Sequence, residues 1–450
     1  MSSKPKKSAK TKASPAAPTR KKRYAIVGTG GRSAMFSHAL LTDYRETCEL
    51  VALCDINQTR MDFHNQEFCE KYNVPAIPTF HASRFDEMVE TARPDVVIVT
   101  TIDRAHHRYI IRAMELGCDA ITEKPLTVDS QKCLEILNAI RTTGRNLKVA
   151  FNYRYAPVRS KVKELLLSGV IGEVKSVHFE WLLNTRHGAD YFRRWHRDKR
   201  NSGGLMVHKA THHFDLVNWW LESTPTDVFA FGDLAFYGRA NAEERGVWKF
   251  YDRGTGSEAA KDDPFSLDLN SSERLQGLYL NAEKEDGYRR DQSVFGDGIS
   301  IEDTMTVAVR YASGAQMSYS LHAYAPWEGY RIAFNGTNGR IELNHQESSY
   351  INAASGDVGE GVTKSEQLIV LENFKRPEII EVPKGVGGHG GGDVVLMEAL
   401  FGNPPEDPLG RAANHIDGAR SILTGIAANR SMETGQAVKV DDLVRLSDWE

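Results

Sequence analysis

The sequence predicts an α/β protein, in which an amino-terminal doubly wound parallel sheet precedes an α+β half with a large, mostly antiparallel open sheet. Three observations predict it. A short β-favouring run, Tyr24 to Val27, leads directly into Gly28-Thr29-Gly30-Gly31-Arg32-Ser33, and Met35, Phe36, Ala39 and Leu40 follow at the spacing of one helical face. From there to about Asn152 strand and helix patterns alternate, which implies parallel crossovers. Beyond Asn152 β-like runs follow one another without regular intervening helices, as in an antiparallel sheet.

In chain order, strands are expected at Tyr24–Val27, Leu50–Cys54, Asp95–Thr100, Ala120–Thr122 and Lys148–Phe151. Helices are expected between them at Gln58–Tyr72, Arg84–Thr91, His106–Leu116 and Ser130–Thr142. Asp95-Val-Val-Ile-Val99 has the continuous apolar character of a central parallel strand. After Asn152 a helix at Pro157–Leu167 leads to a long strand, Glu173–Leu183, and a helix at Lys209–Leu221. Strands follow at Thr226–Phe236, Thr304–Tyr311, Gln316–His322 and Arg331–Phe334. About 237–300 is polar and reads as an excursion between strands, and excursions of that length are functional or disordered. A helical pattern opens at His389-Gly-Gly-Gly-Asp393 and runs to Phe401, and a last helix spans Ala412–Asn429. The domains are therefore read as a basic tail at 1–22, a nucleotide domain at 23–152 and an α+β domain at 153–450.

Strand, glycine turn and helix start in that order form a phosphate pocket. Gly28 permits the tight turn, Gly30 lets backbone approach a pyrophosphate, and Ser33 is small enough for helix and strand to pack. Free N–H groups and the positive end of the helix dipole then face the anion. Asp55, at the end of the next strand, stands where a carboxylate would hold a ribose diol. It would repel a 2′-phosphate, so NAD is expected in preference to NADP, with Arg60 nearby as the counter-argument.

The composition excludes several classes. A net charge of −4 on 450 residues gives no global pull toward nucleic acid or a membrane surface. No apolar run approaches the roughly 20 residues of a membrane span. The five cysteines fall at Cys48, Cys54, Cys69, Cys118 and Cys133, without a Cys-x-x-Cys, as expected of reduced thiols in a cytoplasmic protein. Residues 1–23 hold nine Lys or Arg and no acid, cannot bury a core, and lack the apolar stretch of a secretory signal. They read as a disordered, solubilising tail, or as a nuclear address or nucleic-acid arm through Arg20-Lys-Lys-Arg23.

Two stretches could carry chemistry. Glu123-Lys124-Pro125 follows a buried strand, and Pro125 holds Lys124 extended at the mouth of the crevice. There Lys124 is either a donor to a substrate oxygen, its pKa lowered by desolvation, or a surface lysine paired with Glu123. In Ser202–Asp215, His208, His212 and Asp215 share one helical face, flanked by Lys209 and His213. His212 is then a general acid or base; alternatively His208 and His212 ligate a metal, or the histidines are satisfied beside a Trp219-Trp220 core. Tyr324 to Glu328 and Tyr191 to Trp195 offer aromatic residues, Tyr324 and Trp195 among them, for sugar stacking or for packing.

These residues resemble the glucose–fructose oxidoreductase / inositol dehydrogenase / MocA family. The likeness rests on Gly28-Thr-Gly30, Thr101-Ile-Asp-Arg-Ala-His106, Glu123-Lys-Pro125, Phe151-Asn-Tyr-Arg-Tyr155, Gly169-Val-Ile-Gly172, and Gly203-Gly204 running into His212 and Asp215. The resemblance implies a Rossmann domain that binds nicotinamide cofactor and an open sheet used for oligomerisation, hence a homo-oligomer, dimer or tetramer. It places Gly28, Thr29, Gly30, Gly31, Arg32, Ser33, Asp55, Thr100, Thr101, His106, Glu123 and Lys124 at the cofactor. Lys124, Tyr153, Arg154, Trp195, Lys209, His212 and Tyr324 would meet a sugar or cyclitol, with Lys124, His212 and His208 as the catalytic set. Two departures stand out: the family's aspartate four residues before the histidine is His208 here, and Asp103 stands where asparagine is common. The activity implied is NAD(H)-dependent oxidation or reduction of a sugar, sugar derivative or cyclitol. A glycosidase branch that retains NAD, and a non-catalytic NAD-binding regulator, are the alternatives. No metal is expected.

Overall fold

Six short apolar strands build the first sheet: β1 (Lys22–Val27), β2 (Cys48–Asp55), β3 (Thr79–His81), β4 (Val96–Val99), β5 (Asp119–Thr122) and β6 (Leu147–Val149). All pairs are parallel and the order is β3-β2-β1-β4-β5-β6. The order reverses between β1 and β4, and ligands in such sheets sit at the carboxyl ends beside that switch. Helices α1 (Ser33–Leu41), α2 (Gln58–Tyr72), α3 (Phe85–Ala92), α4 (His106–Glu115) and α5 (Ser130–Thr143) are the crossovers. Asn57 caps α2 by accepting from Arg60 N–H, and Asp129 caps α5 by accepting from Lys132 N–H. Every residue of β4 is buried, as its unbroken apolar run requires. β3 has three residues, too few to show a period in the sequence.

This computed structural model describes residues 20–247, 249–352 and 360–449. The expected tail lies outside the described residues as far as Thr19.

The second sheet joins β7 (Val174–Asn184), β8 (Pro225–Asp233), β9 (Thr304–Tyr311), β10 (Gln316–Ala325), β11 (Glu328–Gly336), β12 (Gly339–Glu347), β13 (Thr363–Glu372), β14 (Glu378–Ile380) and β15 (Val438–Lys439). Its order is β14-β13-β12-β11-β7-β10-β9-β8-β15, and β7 with β10 is the parallel pair in an otherwise antiparallel sheet. One face is buried and the other is not: Val307, Val309, Tyr319 and Leu321 are buried, whereas Thr306, Ala308 and Ser318 are exposed. The buried face carries α6 (Pro157–Leu167), α7 (Thr185–Arg193), a single turn α8 (Leu205–His208), α9 (Thr211–Leu221) and, later in the chain, α11 (His415–Thr434). Before α11 comes α10 (Gly392–Phe401).

Two segments cross the expected boundary at 152. α10 returns to the first domain, where Phe401 meets Tyr24 edge-on at 5.1 Å and Leu396 and Met397 join the same core. The stretch 237–300 is a string of short helices and turns that folds back onto α2. Asn57 Nδ2 donates to Ala282 O (2.9 Å), Thr59 N–H donates to Glu285 (3.1 Å), and Arg274 pairs with Glu67 (3.1 Å). Among the described residues no helix is long and apolar enough to cross a membrane.

Candidate active site

A cavity of about 730 Å³ lies between the domains, at the carboxyl ends of β1, β4 and β5. Its first-domain wall includes Gly28, Gly30, Gly31, Arg32, Asp55, Thr100, Thr101, Asp103, His106, Glu123 and Lys124. Gly28 has φ +90, and a Cβ there would stand 2.5 Å from Thr101 N, so the turn and its neighbour loop exclude any side chain. Gly30 differs: a Cβ on it would meet no atom within 4 Å, because it faces the cavity.

Thr29 and Ser33 brace this loop from behind. Ser33 Oγ donates to Gly30 O (2.8 Å), and Thr29 donates through Oγ1 (2.9 Å) and N–H to Asp55 Oδ2. Asp55 Oδ1 accepts from Asn57 N–H (3.0 Å). Asp55 thus lines the cavity and holds the glycine loop at once. Beside it Arg60 donates to Leu278 O (3.0 Å) and pairs with Asp286 at 2.6 Å, and its Nη2 is buried with no hydrogen-bond partner. A glycine cradle open to the cavity, with a carboxylate and an orphaned guanidinium N–H next to it, fits a dinucleotide.

His106 lies between Pro125 O (2.8 Å) and Thr101 O (3.1 Å), fixing the loops after β4 and β5 against each other. Arg32 Nε donates to Glu123 (2.6 Å), and its Nη2 is 3.8 Å from Asp393. Asp393 accepts from Asn152 Nδ2 (2.6 Å) and pairs with His389 Nδ1 (2.9 Å). That contact needs the close start of α10, where a Cβ on Gly392 would sit 2.3 Å from Asn152 O. His389 Nε2 is 3.5 Å from Glu360. Burial opposes charge on the His389 ring, but Asp393 and Glu360 outweigh it and raise the pKa to about 9. The loop histidine of the glycine turn is therefore a buried cation on the cavity wall.

Lys124 Nζ reaches His208, 3.5 Å from Nε2 and 3.4 Å from the carbonyl oxygen. On the other side of that ring, His208 Nδ1 is 2.5 Å from Asp103 Oδ2. Burial lowers the pKa of Lys124. Burial also pushes His208 well below its ordinary range and Asp103 well above its own. Taken alone, the aspartate replaced by His208 suggests that no carboxylate orients the proton relay; Asp103 supplies one from another loop. The two departures from the family pattern face each other.

The expected continuous histidine helix is broken. The ladder is interrupted between α8 and α9, where the N–H groups of Lys209 and Ala210 both donate to Leu205 O. His212 does not line the cavity; its ring stacks on Tyr153 (4.1 Å, 11°), and its Nδ1 has no hydrogen-bond partner. Among the described residues no group of three or more His, Cys, Asp or Glu is arranged to hold a metal. Tyr153 and Lys209 are also buried off the cavity, with Lys209 Nζ donating to Tyr153 Oη (3.3 Å) and 3.7 Å from Glu360.

Arg154 and Tyr324 stand elsewhere than expected. Arg154 makes a buried bidentate pair with Asp215 (2.8 and 2.6 Å), which ties the 152–155 turn to α9. Tyr324 stacks on Phe236 at 4.5 Å and bonds Thr304 through its hydroxyl. Trp195 does line the cavity, with its ring stacked on His196 at 3.5 Å. Tyr191 and Arg194, from the Tyr191–Trp195 run expected to offer sugar contacts, stand on the second-domain wall. The sequence reading missed His187 and Glu360, which stand there too.

The dinucleotide cradle and the polar second-domain wall define an NAD-binding oxidoreductase. Residues 22–151 match the family model "Oxidoreductase family, NAD-binding Rossmann fold" and residues 163–440 match "Oxidoreductase family, C-terminal alpha/beta domain". The chain belongs to the glucose–fructose oxidoreductase / inositol dehydrogenase / MocA family. It is 37% identical over 437 residues to YteT of Bacillus subtilis (strain 168), a protein with an oxidoreductase name, covering 92% of this chain and 96% of that one. An inositol 2-dehydrogenase/D-chiro-inositol 3-dehydrogenase of Lactiplantibacillus plantarum is 24% identical over 46% of this chain and 54% of its own. An alpha-N-acetylgalactosaminidase of Shewanella oneidensis is 26% identical over 41% of this chain and 42% of its own. The WlbA dehydrogenase of Bordetella pertussis, solved with NADH and UDP-GlcNAcA, shares the fold with a TM-score of 0.61 at 17% identity, covering 93% of this chain and 99% of that one.

Proposed function

We propose that this chain is an NAD(H)-dependent dehydrogenase that moves hydride between nicotinamide and a hydroxyl- or keto-bearing carbon of a sugar, sugar derivative or cyclitol. The observation that carries it is the Lys124–His208–Asp103 chain, which opens onto the same cavity as the glycine loop. When bound, the nicotinamide supplies the hydride acceptor or donor. Lys124 Nζ donates to the substrate oxygen, polarising a carbonyl or exchanging the hydroxyl proton. His208 takes or returns that proton through Nε2, and Asp103 fixes the ring and stabilises its charge from Nδ1. Burial raises Asp103 and lowers His208, so the two groups titrate as one coupled unit. His212 stacks on Tyr153, and after burial Lys124 is the group that acts on it most, so it stands beside His208 as a second candidate for the relay.

Asp55 beside the glycine loop disfavours a 2′-phosphate, and two of the three Arg60 nitrogens are taken by Asp286 and Leu278 O, which supports NAD over NADP. The test is absorbance at the reduced-nicotinamide band across a sugar and inositol panel. Wild type should respond and Lys124→Ala should not; silence from both rejects the reading.

A second reading has NAD retained and cycled during glycoside cleavage. It is favoured by Tyr279, Asp286 and Tyr288, which bring the segment after 237 onto the cavity wall. It requires copurifying cofactor and cleavage of aryl glycosides without net NADH.

A further inference from the structure

Around α7, three guanidinium groups crowd one carboxylate. Asp190, on α7, is buried and pairs with Arg290 at 2.7 Å, while Arg193 and Arg194 lie 3.5 Å away. Arg193 is satisfied elsewhere, by two hydrogen bonds to Phe265 O (2.9 and 2.7 Å). Arg290 is fully buried, yet its Nε and Nη1 have no hydrogen-bond partner. Arg194 lines the cavity; its contact with Asp190 at 3.5 Å is long, and its Nε is also orphaned. Tyr288 lies on the same wall with its buried hydroxyl unpaired. Burying this much positive charge with spare donors is costly unless an anion completes it.

Which anion follows from position. The diphosphate of a dinucleotide belongs at Gly30, Gly31 and Arg32. Arg194 is instead joined to the reacting end, since it precedes Trp195 and His196, and the His196 ring lies 4.1 Å from that of His208. Its charge acts on the same groups: after burial and Lys124, Arg194 is the next cause of the shifts in His208 and Asp103.

We propose that Arg194, held by Asp190 and backed by Arg290, binds a carboxylate carried by the substrate, so that the sugar taken by this site is a sugar acid. This rests on the dehydrogenase reading for its substrate class. Arg194 is the contact residue and Arg290 a positioning residue. Guanidinium and carboxylate match as a bidentate pair, which a neutral hydroxyl cannot reproduce.

The test uses the full chain saturated with NAD⁺ and calorimetric titration with D-glucuronate, D-galacturonate and D-mannuronate, each beside its neutral hexose. One uronate should bind at least tenfold tighter than its hexose. Arg194→Gln should remove that advantage, and Arg194→Lys should keep part of it, with NAD⁺ affinity unchanged in both. The lysine variant carries the test if the glutamine variant melts early. Equal binding of every uronate and its hexose overturns the proposal. So does an Arg194→Gln variant that loses NAD⁺ as strongly as uronate, which would assign the guanidinium to the cofactor. Uronate binding without reduced nicotinamide would sink the dehydrogenase reading alone. Turnover of a uronate with the same kcat/KM in wild type and Arg194→Gln would sink this one alone.

Discussion

His208 Nδ1 and Asp103 Oδ2 lie 2.5 Å apart across the two domains, although 105 residues separate them in the chain. Asn in place of Asp103 keeps the shape and removes the proton-holding carboxylate. Asp103→Asn should lower kcat by about 10²-fold. It should also flatten the pH–rate limb that belongs to the pair, with NAD⁺ affinity within about twofold. A pH profile unchanged in shape would reduce Asp103 to a structural partner.

Lys124 is the group placed to touch substrate. Lys124→Ala should cut kcat/KM by about 10²–10⁴. Burial lowers its pKa from the ordinary 10.5, so the charged form is lost earlier as pH rises. The basic limb of the wild-type profile should therefore fall below that value, and steady-state kinetics read both effects.

Gly28 cannot carry a side chain, because its φ is +90 and a Cβ would stand 2.5 Å from Thr101 N. Gly28→Ala should cost about 1–3 kcal/mol. It should also weaken NAD⁺ binding by an order of magnitude or more, since the glycine loop and the Thr101 loop both shift. Thermal melting and calorimetry check the two parts.

Arg154 serves stability. Its bidentate pair with Asp215 is buried on both sides, so Arg154→Ala strands a carboxylate and should cost about 3–5 kcal/mol. KM for the sugar should move little in whatever fraction folds. A large KM change at unchanged melting temperature would return Arg154 to the substrate.

His389 gives a pH signature. Its folded pKa is raised to about 9 from 6.5, so the stabilisation is fully present below 6.5 and is lost as pH rises through 9. Asp393, held down to about 2, loses its share only as pH falls through that value. The wild-type melting temperature should decline between those two His389 values, and His389→Asn should abolish the decline.

Much of the first domain was legible because its signals are local. The Gly28–Ser33 turn and the Val96–Val99 run each act within a few residues. α2 and α6 have the bounds their apolar spacing gave. What stayed hidden depends on contacts distant in sequence. No periodicity links Asp103 to His208, or Glu360 to His389, because the protein brings them together by folding one domain against another. The break between α8 and α9 was hidden for a different reason: Lys209 and Ala210 favour helix and keep helical backbone angles, so only the hydrogen-bond ladder is interrupted.

Glu285 accepts the N–H groups of Gln58 and Thr59 at the start of α2, while Tyr279 and Tyr288 line the same cavity as Asp55. The amino-terminal domain therefore does not own its nucleotide pocket. The helix that follows Asp55 takes its amino-terminal acceptor from the other half of the chain. Part of that pocket is in this way written some 230 residues downstream of the strand that ends in Asp55.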